Sequence, residues 1–204
     1  MKKQPALPAI LPRDFYIRSP EVVAQALLGK LLTHHRKGRE LTGRIIEVEA
    51  YLGLTDPASH AFIGRSARNA VLFGPPGVAY VYFIYGMHYC LNVSCQPDGE
   101  PGGVLFRALT PLKGLTTMAR LRGLPKDAKP QLLTGGPGRL CEALGISREA
   151  QNGIDVTLPG SPLQIFDDGY NSGAIEITPR IGIRKAADRP LRFLIRPEKP
   201  ESAR

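Results

Sequence analysis

Apolar and polar residues alternate with a period of two along Arg44-Ile-Ile-Glu-Val-Glu-Ala-Tyr-Leu-Gly. Ile45, Glu47, Glu49 and Tyr51 fall on one face of the strand this predicts, and Ile46, Val48, Ala50 and Leu52 on the other. The second face is wholly apolar and is expected to meet the core. The first then carries two carboxylates and a tyrosine outward, just before Gly53. Polar groups at a strand end, ahead of a loop, sit where scaffolds commonly hold catalytic side chains. A surface strand with solvated glutamates is the competing reading of this stretch alone.

The pattern on either side predicts the remaining elements. Residues 1–12 are rich in proline and are expected to be loose. Ser19-Pro-Glu opens a helix, with Ser19 as N-cap and proline at the first helical position. Its apolar side is read as Val22, Val23, Ala26 and Leu27, and Gly29 ends it. Lys30 to His35 is a short strand, Arg36-Lys-Gly-Arg-Glu a basic turn, and the strand through Glu49 completes a hairpin. His34 and His35 are expected at the surface. His60 follows in a loop beginning at Asp56-Pro. Ser66 is a candidate N-cap for a short helix to Phe73, and Gly74-Pro-Pro-Gly is a turn.

Residues 78–95 form the segment richest in β-formers and read as two strands, about 78–84 and 88–95, joined at Tyr85-Gly86-Met87. Tyr80, Tyr82, Tyr85 and Tyr89 crowd here, four of seven tyrosines. A tyrosine at a hairpin tip cannot easily bury itself in its own sheet, so Tyr85 is a candidate for insertion into a partner or for packing on a neighbouring loop. Val104 to Leu109 is a strand that holds Arg107 among apolar neighbours. An arginine there needs an acid, and Glu49 or Glu47 can supply it. A helix is expected over 112–122, then a Gly-rich turn and helix from Leu133. That turn lacks the Walker spacing. Loops and short strands fill 146–172, and 180–196 closes the fold with a final strand.

Composition narrows the classes. The chain has 204 residues, 43% hydrophobic, with 22 glycines and 19 prolines. This suits one turn-rich domain spanning 1–204 rather than a helical bundle. No apolar run approaches the ~18 residues a membrane span needs. Nor does Met-Lys-Lys-Gln-Pro-Ala-Leu-Pro read as a signal peptide. A cytoplasmic location is expected. Cys90, Cys95 and Cys141 are odd in number and lack a framework spacing, so buried free thiols are expected rather than disulfides or metal ligands. The net charge is +9, and residues 180–204 alone contribute +5. Nucleic acid is the natural polyanionic partner of such a chain.

Several motifs together resemble the alkyladenine (3-methyladenine) DNA glycosylase family. They are Glu47-Val-Glu-Ala-Tyr-Leu-Gly with His60 downstream, Tyr80-Val-Tyr-Phe-Ile-Tyr-Gly-Met, Asn92-Val-Ser, Val104-Leu-Phe-Arg-Ala-Leu, Gly136-Pro-Gly-Arg-Leu-Cys-Glu-Ala-Leu and Pro190-Leu-Arg-Phe. The match runs in order over about residues 10 to 196. The resemblance implies a mixed α/β (α+β) fold: one compact domain around a curved antiparallel sheet, with a β-hairpin that protrudes into the minor groove. It implies removal of alkylated or deaminated purines from double-stranded DNA by a monomer, with no metal or organic cofactor, and association with the nucleoid when bound. Carried over by position, the resemblance implies these roles: Glu49 would be the base that activates water. Arg107 helps hold that water, together with a main-chain carbonyl near Ile181. Tyr51, His60 and Tyr82 line the base pocket and Asn92 lies at its floor. Tyr85 is the wedge that fills the vacated stack. Arg65, Arg68, Arg139, Arg184 and Lys185 are candidates for phosphate contacts.

Glu47 and Glu49 lie on one strand face, about 6.5–7 Å apart. On the residues alone either can be the base, and proximity would push their pKa values apart. The family motif selects the second and leaves Glu47 for pairing with an arginine. Two other functions compete. A non-catalytic nucleic-acid-binding module would need no carboxylate in its groove. An O-glycoside hydrolase using both glutamates would be expected to have a neutral cleft lined with tryptophan, whereas this chain is basic and has no Trp.

Overall fold

A computed structural model describes residues 8–84 and 86–195. Its elements in chain order are β1 (Ala9–Ile10), α1 (Pro20–Leu27), β2 (Leu31–Arg36), β3 (Arg39–Tyr51), β4 (Ala79–Ile84), β5 (His88–Ser94), β6 (Gly103–Lys113), α2 (Leu115–Leu121), α3 (Pro130–Thr134), α4 (Pro137–Leu144), α5 (Arg148–Gln151), β7 (Leu163–Asp167), β8 (Ile175–Thr178) and β9 (Arg192–Ile195). Among the described residues the strands form one antiparallel sheet in the order β1-β7-β2-β3-β6-β5-β4, with β9 and then β8 added at β3. The result is the mixed α/β fold expected, with a curled antiparallel sheet and short helices packed on it. No helix among the described residues is long and apolar enough to cross a membrane.

β3 is the strand that organises the rest. Along one edge it pairs with β6 for most of its length. Along the other it pairs first with β2, over residues 39–44, and then with β9, over Glu47–Glu49. The ladder to β6 is irregular where the neighbour changes: Ile45 faces Leu109, Glu47 faces Ala108 and Val48 faces Phe106, leaving Ile46 and Arg107 out of the pairing. An unpaired residue shifts the side-chain alternation by one and bends the strand. Leu41 and Ile45 therefore enter the core ahead of the irregularity, and Val48 and Ala50 after it. This corrects the simple period-two reading, which put Ile45 on the face of Glu47; Ile45 is fully buried. Glu47, Glu49 and Tyr51 keep their common face.

The helix at Ser19 forms as expected. Ser19 Oγ accepts the Val22 N–H at 3.4 Å, with proline at the first turn. Its buried side is Pro20, Val23, Ala24 and Leu27, whereas Val22 is exposed. Several other expectations fail, each for a packing reason. Residues 1–7 lie outside the described residues, but 9–12 are not loose: β1 pairs with β7, and Leu11 donates its N–H to Ile165 O at 2.9 Å and is buried. The edge of β7 needs a partner, and the N-terminal segment supplies one. His34 is buried rather than at the surface, because β2 is an inner strand and Leu144 of α4 and Gln151 of α5 meet its ring. Its Nδ1 lies 2.7 Å from Leu144 O, and burial lowers its pKa. Ser66 caps nothing; it donates its N–H to Asn69 Oδ1, ahead of a 3₁₀ turn at Ala70–Phe73. β6 runs on through Pro111 to Lys113, so the helix expected from 112 starts at Leu115. Proline is tolerated there because the ladder shifts register at Thr42/Gly43, opposite it. The closing strand is only β9, and the segment from Arg180 to Arg189 is irregular. All three cysteines are buried and unpaired, as expected.

Candidate active site

Glu49 is the most enclosed acid of β3, with a side chain that is 0% exposed. Three donors converge on it. The Ile181 N–H reaches Oε1 at 2.8 Å, Arg107 Nη1 lies 3.1 Å from the same oxygen, and the Tyr51 hydroxyl donates to Oε2 at 2.9 Å. A buried carboxylate needs such satisfaction of its oxygens. Burial and then the Glu49 charge push the Tyr51 phenol well above its ordinary range, so Tyr51 acts as a donor.

Glu47 has another fate. Arg107 Nε and Arg192 Nε both donate to its Oε1, each at 2.7 Å. Burial alone would raise its carboxyl, but the hydrogen bonds from Arg192 and Arg107 hold it below the ordinary value. Arg107 thus bridges both glutamates. Burial would lower its pKa, and the neighbouring carboxylates, Glu49 first, raise it instead. The open choice between Glu49 and Glu47 as its partner resolves as both.

The sequence-derived pocket residues come together. Tyr51, His60, Tyr82 and Asn92 line one cavity with Leu72, Tyr80 and Ile84. A second depression containing Glu49, Arg107 and Cys90 shares Tyr51, Tyr82, Ile84, Gly182 and Ile183 with the first, so the two adjoin. The rings are ordered: His60 meets Tyr82 edge-on at 4.5 Å between centroids, and its Nδ1 lies 2.9 Å from the Tyr80 hydroxyl. Burial lowers the His60 pKa, so the ring is neutral near pH 7. Asn92 is buried and donates Nδ2 to Tyr80 O at 3.3 Å. Tyr85 lies outside the described residues, between Ile84 and Gly86. Arg65, Arg68, Arg139, Arg184 and Lys185 are all exposed, the first two on the loop after His60 and the last two just past Ile183. Among the described residues no cluster of His, Cys, Asp and Glu is arranged to ligate a metal ion.

Sequence reasoning missed the pair beneath this site. The side chains of Arg180 and Asp56 are both 0% exposed and ion-paired. Arg180 Nη2 donates to Asp56 Oδ1 at 2.8 Å, Nη1 donates to Ala50 O at 3.0 Å, and the guanidinium stacks 4.7 Å from the Tyr51 ring centroid. Asp56 also accepts the N–H groups of Leu52 and Ala58. The pair ties the loop leading to His60 to the segment that delivers the Ile181 N–H. Both residues sit in irregular backbone with no periodicity, so no local signal marked them. The hint available was a lone acid ahead of a proline and a lone arginine ahead of an apolar pair.

Comparison with known proteins shows the family. The family model for methylpurine-DNA glycosylase matches residues 14–199. A protein of Koribacter versatilis (strain Ellin345) that carries the provisional name 3-methyladenine DNA glycosylase is 55% identical over 188 residues, covering 92% of this chain and 90% of that one. Relatives with the same provisional name in Burkholderia lata, 47% identical over 92% of this chain and 88% of theirs, and in Alkaliphilus oremlandii (strain OhILAs), 44% identical over 91% and 95%, extend the likeness. The chain therefore belongs to the methylpurine-DNA glycosylase family, and is a DNA-repair hydrolase acting on N-glycosyl bonds.

Proposed function

We propose that this glycosylase flips alkylated or deaminated purines out of duplex DNA and hydrolyses their N-glycosidic bond with a water activated by Glu49, leaving an abasic site. The observation that carries this reading is the aromatic cavity lying directly beside the depression that holds the buried Glu49 carboxylate, with five residues lining both. A base inside a duplex is out of reach, and flipping it costs a few kcal/mol. Tyr51, His60 and Tyr82 would hold the flipped base. Alkylation at N3 or N7 makes a purine cationic, and tyrosine faces attract cations by about 0.5–2 kcal/mol per contact. The cationic base is also the better leaving group. As the bond breaks, positive charge develops on the sugar, and Glu49 would stabilise it while taking a proton from water. Arg107 fixes the carboxylate through Nη1 and would help hold the water. Asn92, at the cavity floor, would select against normal guanine. Tyr85 would fill the vacated stack from the tip between β4 and β5.

Glu47 does not suit an acid role in an O-glycoside hydrolase. Such an acid has a raised pKa, and two arginines lower that of Glu47. No lysine lines either depression among the described residues, which favours a monofunctional enzyme over one that forms a Schiff base. We place it in the cytoplasm, as a monomer. The test is incubation with duplexes carrying 3-methyladenine, 7-methylguanine, hypoxanthine or 1,N6-ethenoadenine, followed by alkaline cleavage. Strand breaks at lesion sites, with no borohydride-trapped adduct, are expected. Absence of breaks on all four substrates, or a trapped adduct, overturns the reading.

A further inference from the structure

The loop that carries His60 also carries Ile63, which at 85% exposure is the most exposed large apolar side chain among the described residues; its neighbour Phe62 is 41% exposed. A single apolar residue in water is ordinary. This pair is not a floppy tip, however. Gly64 donates its N–H to Ala61 O at 2.9 Å and Phe62 to Ser59 O at 3.2 Å. The buried Asn69 clamps the base of the turn, with Nδ2 donating to His60 O at 2.8 Å and to Gly64 O at 2.9 Å. Beneath it, Ala61 and Leu72 pack on Tyr80 of β4 in a small apolar cluster of their own. Hence the turn 61–64 and the β4–β5 hairpin stand on one platform. The hairpin ends in another exposed apolar residue, Met87, at 68%. His60 and Ile84, one beside each tip, both line the base cavity.

We propose that Phe62 and Ile63 form a second apolar wedge, which enters the minor groove of the duplex beside the flipped base. The inference rests on the reading above that the cavity takes a base out of duplex DNA. Duplex DNA is chosen as the partner by what surrounds the tip. The exposed Arg65 follows it directly, so the apolar point has a cation beside it, and Arg68 lies against the Tyr80 hydroxyl at the foot of the same loop. That combination matches a groove with an anionic rim and unstacked base faces within. Minor-groove proteins use phenylalanine and isoleucine in this way, recovering in contacts part of the cost of unstacking. Rigidity matters too, because a preordered tip loses little freedom on insertion.

The test compares the wild-type chain with Ile63→Ser and with the double variant Phe62→Ala, Ile63→Ser. Each is given the same lesion in a duplex and in a single strand, and a lesion duplex with 2-aminopurine beside the lesion. The wedge predicts that excision efficiency on duplex falls by about tenfold. Excision from the single strand should change by less than about twofold, since little stacking is broken there. The rise in 2-aminopurine fluorescence on binding should shrink. The salt dependence of duplex binding should stay unchanged, because no phosphate contact is removed. Equal losses on duplex and single strand would overturn the wedge and make the tip a support of the pocket. Unchanged duplex excision and fluorescence would overturn it as well. The fluorescence readout needs binding alone, so a wild-type response that the variants lack supports the wedge even where excision fails and the base-removal reading falls.

Discussion

The backbone N–H of Ile181 donates to Glu49 Oε1 at 2.8 Å, joining residues 132 positions apart. Glu49 is thus oriented from two directions, by Arg107 of its neighbour strand and by a segment near the end of the chain. The core side of β3 fixes its backbone, and these donors fix its carboxylate. Such support is what a reacting group needs to keep its aim.

Glu49→Gln keeps the shape of this arrangement. The amide oxygen can still face Ile181 and Arg107, and the amide nitrogen can donate to the Tyr51 hydroxyl, which then accepts. Folding and lesion binding should persist while single-turnover excision drops on the order of 100-fold, the scale for losing a general base. Near-normal excision by this variant would remove Glu49 from the mechanism and point to Glu47→Gln as the next comparison.

Asp56→Asn should unfold more readily. Removing one partner of a buried ion pair strands the other, at about 3–5 kcal/mol. Burial alone would raise the Asp56 carboxyl, but the hydrogen bonds from Arg180 and from the Ala58 and Leu52 N–H groups hold it below its ordinary 3.8. The folded pKa is depressed, so the pair's stabilisation is complete above the unfolded value and is lost as pH falls through the folded one. Urea unfolding should therefore show a large gap between wild type and variant at pH 7 that narrows below about pH 4. A gap independent of pH would show that the loss comes from packing.

Affinity for lesion-free duplex should fall linearly with the logarithm of salt, and neutralising each true phosphate contact should reduce the slope by about 0.9. Alanine at Arg65, Arg68, Arg139, Arg184 and Lys185, one at a time, identifies which exposed cations touch the backbone. A flat salt response in the wild type would contradict electrostatic binding altogether.

Gly53→Ala tests the turn that leaves β3. Gly53 has φ +67°, and an added Cβ would stand 1.8 Å from Pro101 O. Backbone cannot yield cheaply there, so the variant should lose well over about 1 kcal/mol in urea unfolding. Excision should fall with it, because the loop to Asp56 and His60 starts at this residue. Wild-type stability would mean that the turn relaxes without cost.

Much of this protein is written locally. Ser19-Pro20 opens a helix, the β-rich run around Gly86 pairs into a hairpin, and Glu47, Glu49 and Tyr51 share a face because neighbours two apart on a strand must. These features depend on a few consecutive residues, so their pattern survives in one dimension. Tyr51, His60, Tyr82 and Asn92 line one cavity and Arg107 the depression beside it; it was the family resemblance, not the local pattern, that grouped them in the sequence. What the tertiary structure alone decided depends on contacts across the chain. The irregularity at Ile46 and Arg107 arises where β3 exchanges β2 for β9, which sends Ile45 into the core. His34 is buried because Leu144 and Gln151, distant in sequence, close over its ring. Arg180 finds Asp56, and Ile181 finds Glu49, only when the last third of the chain folds back on the first. Burial then sets the energetics: a charge removed from water needs a partner, and the fold selects which one from anywhere along the chain.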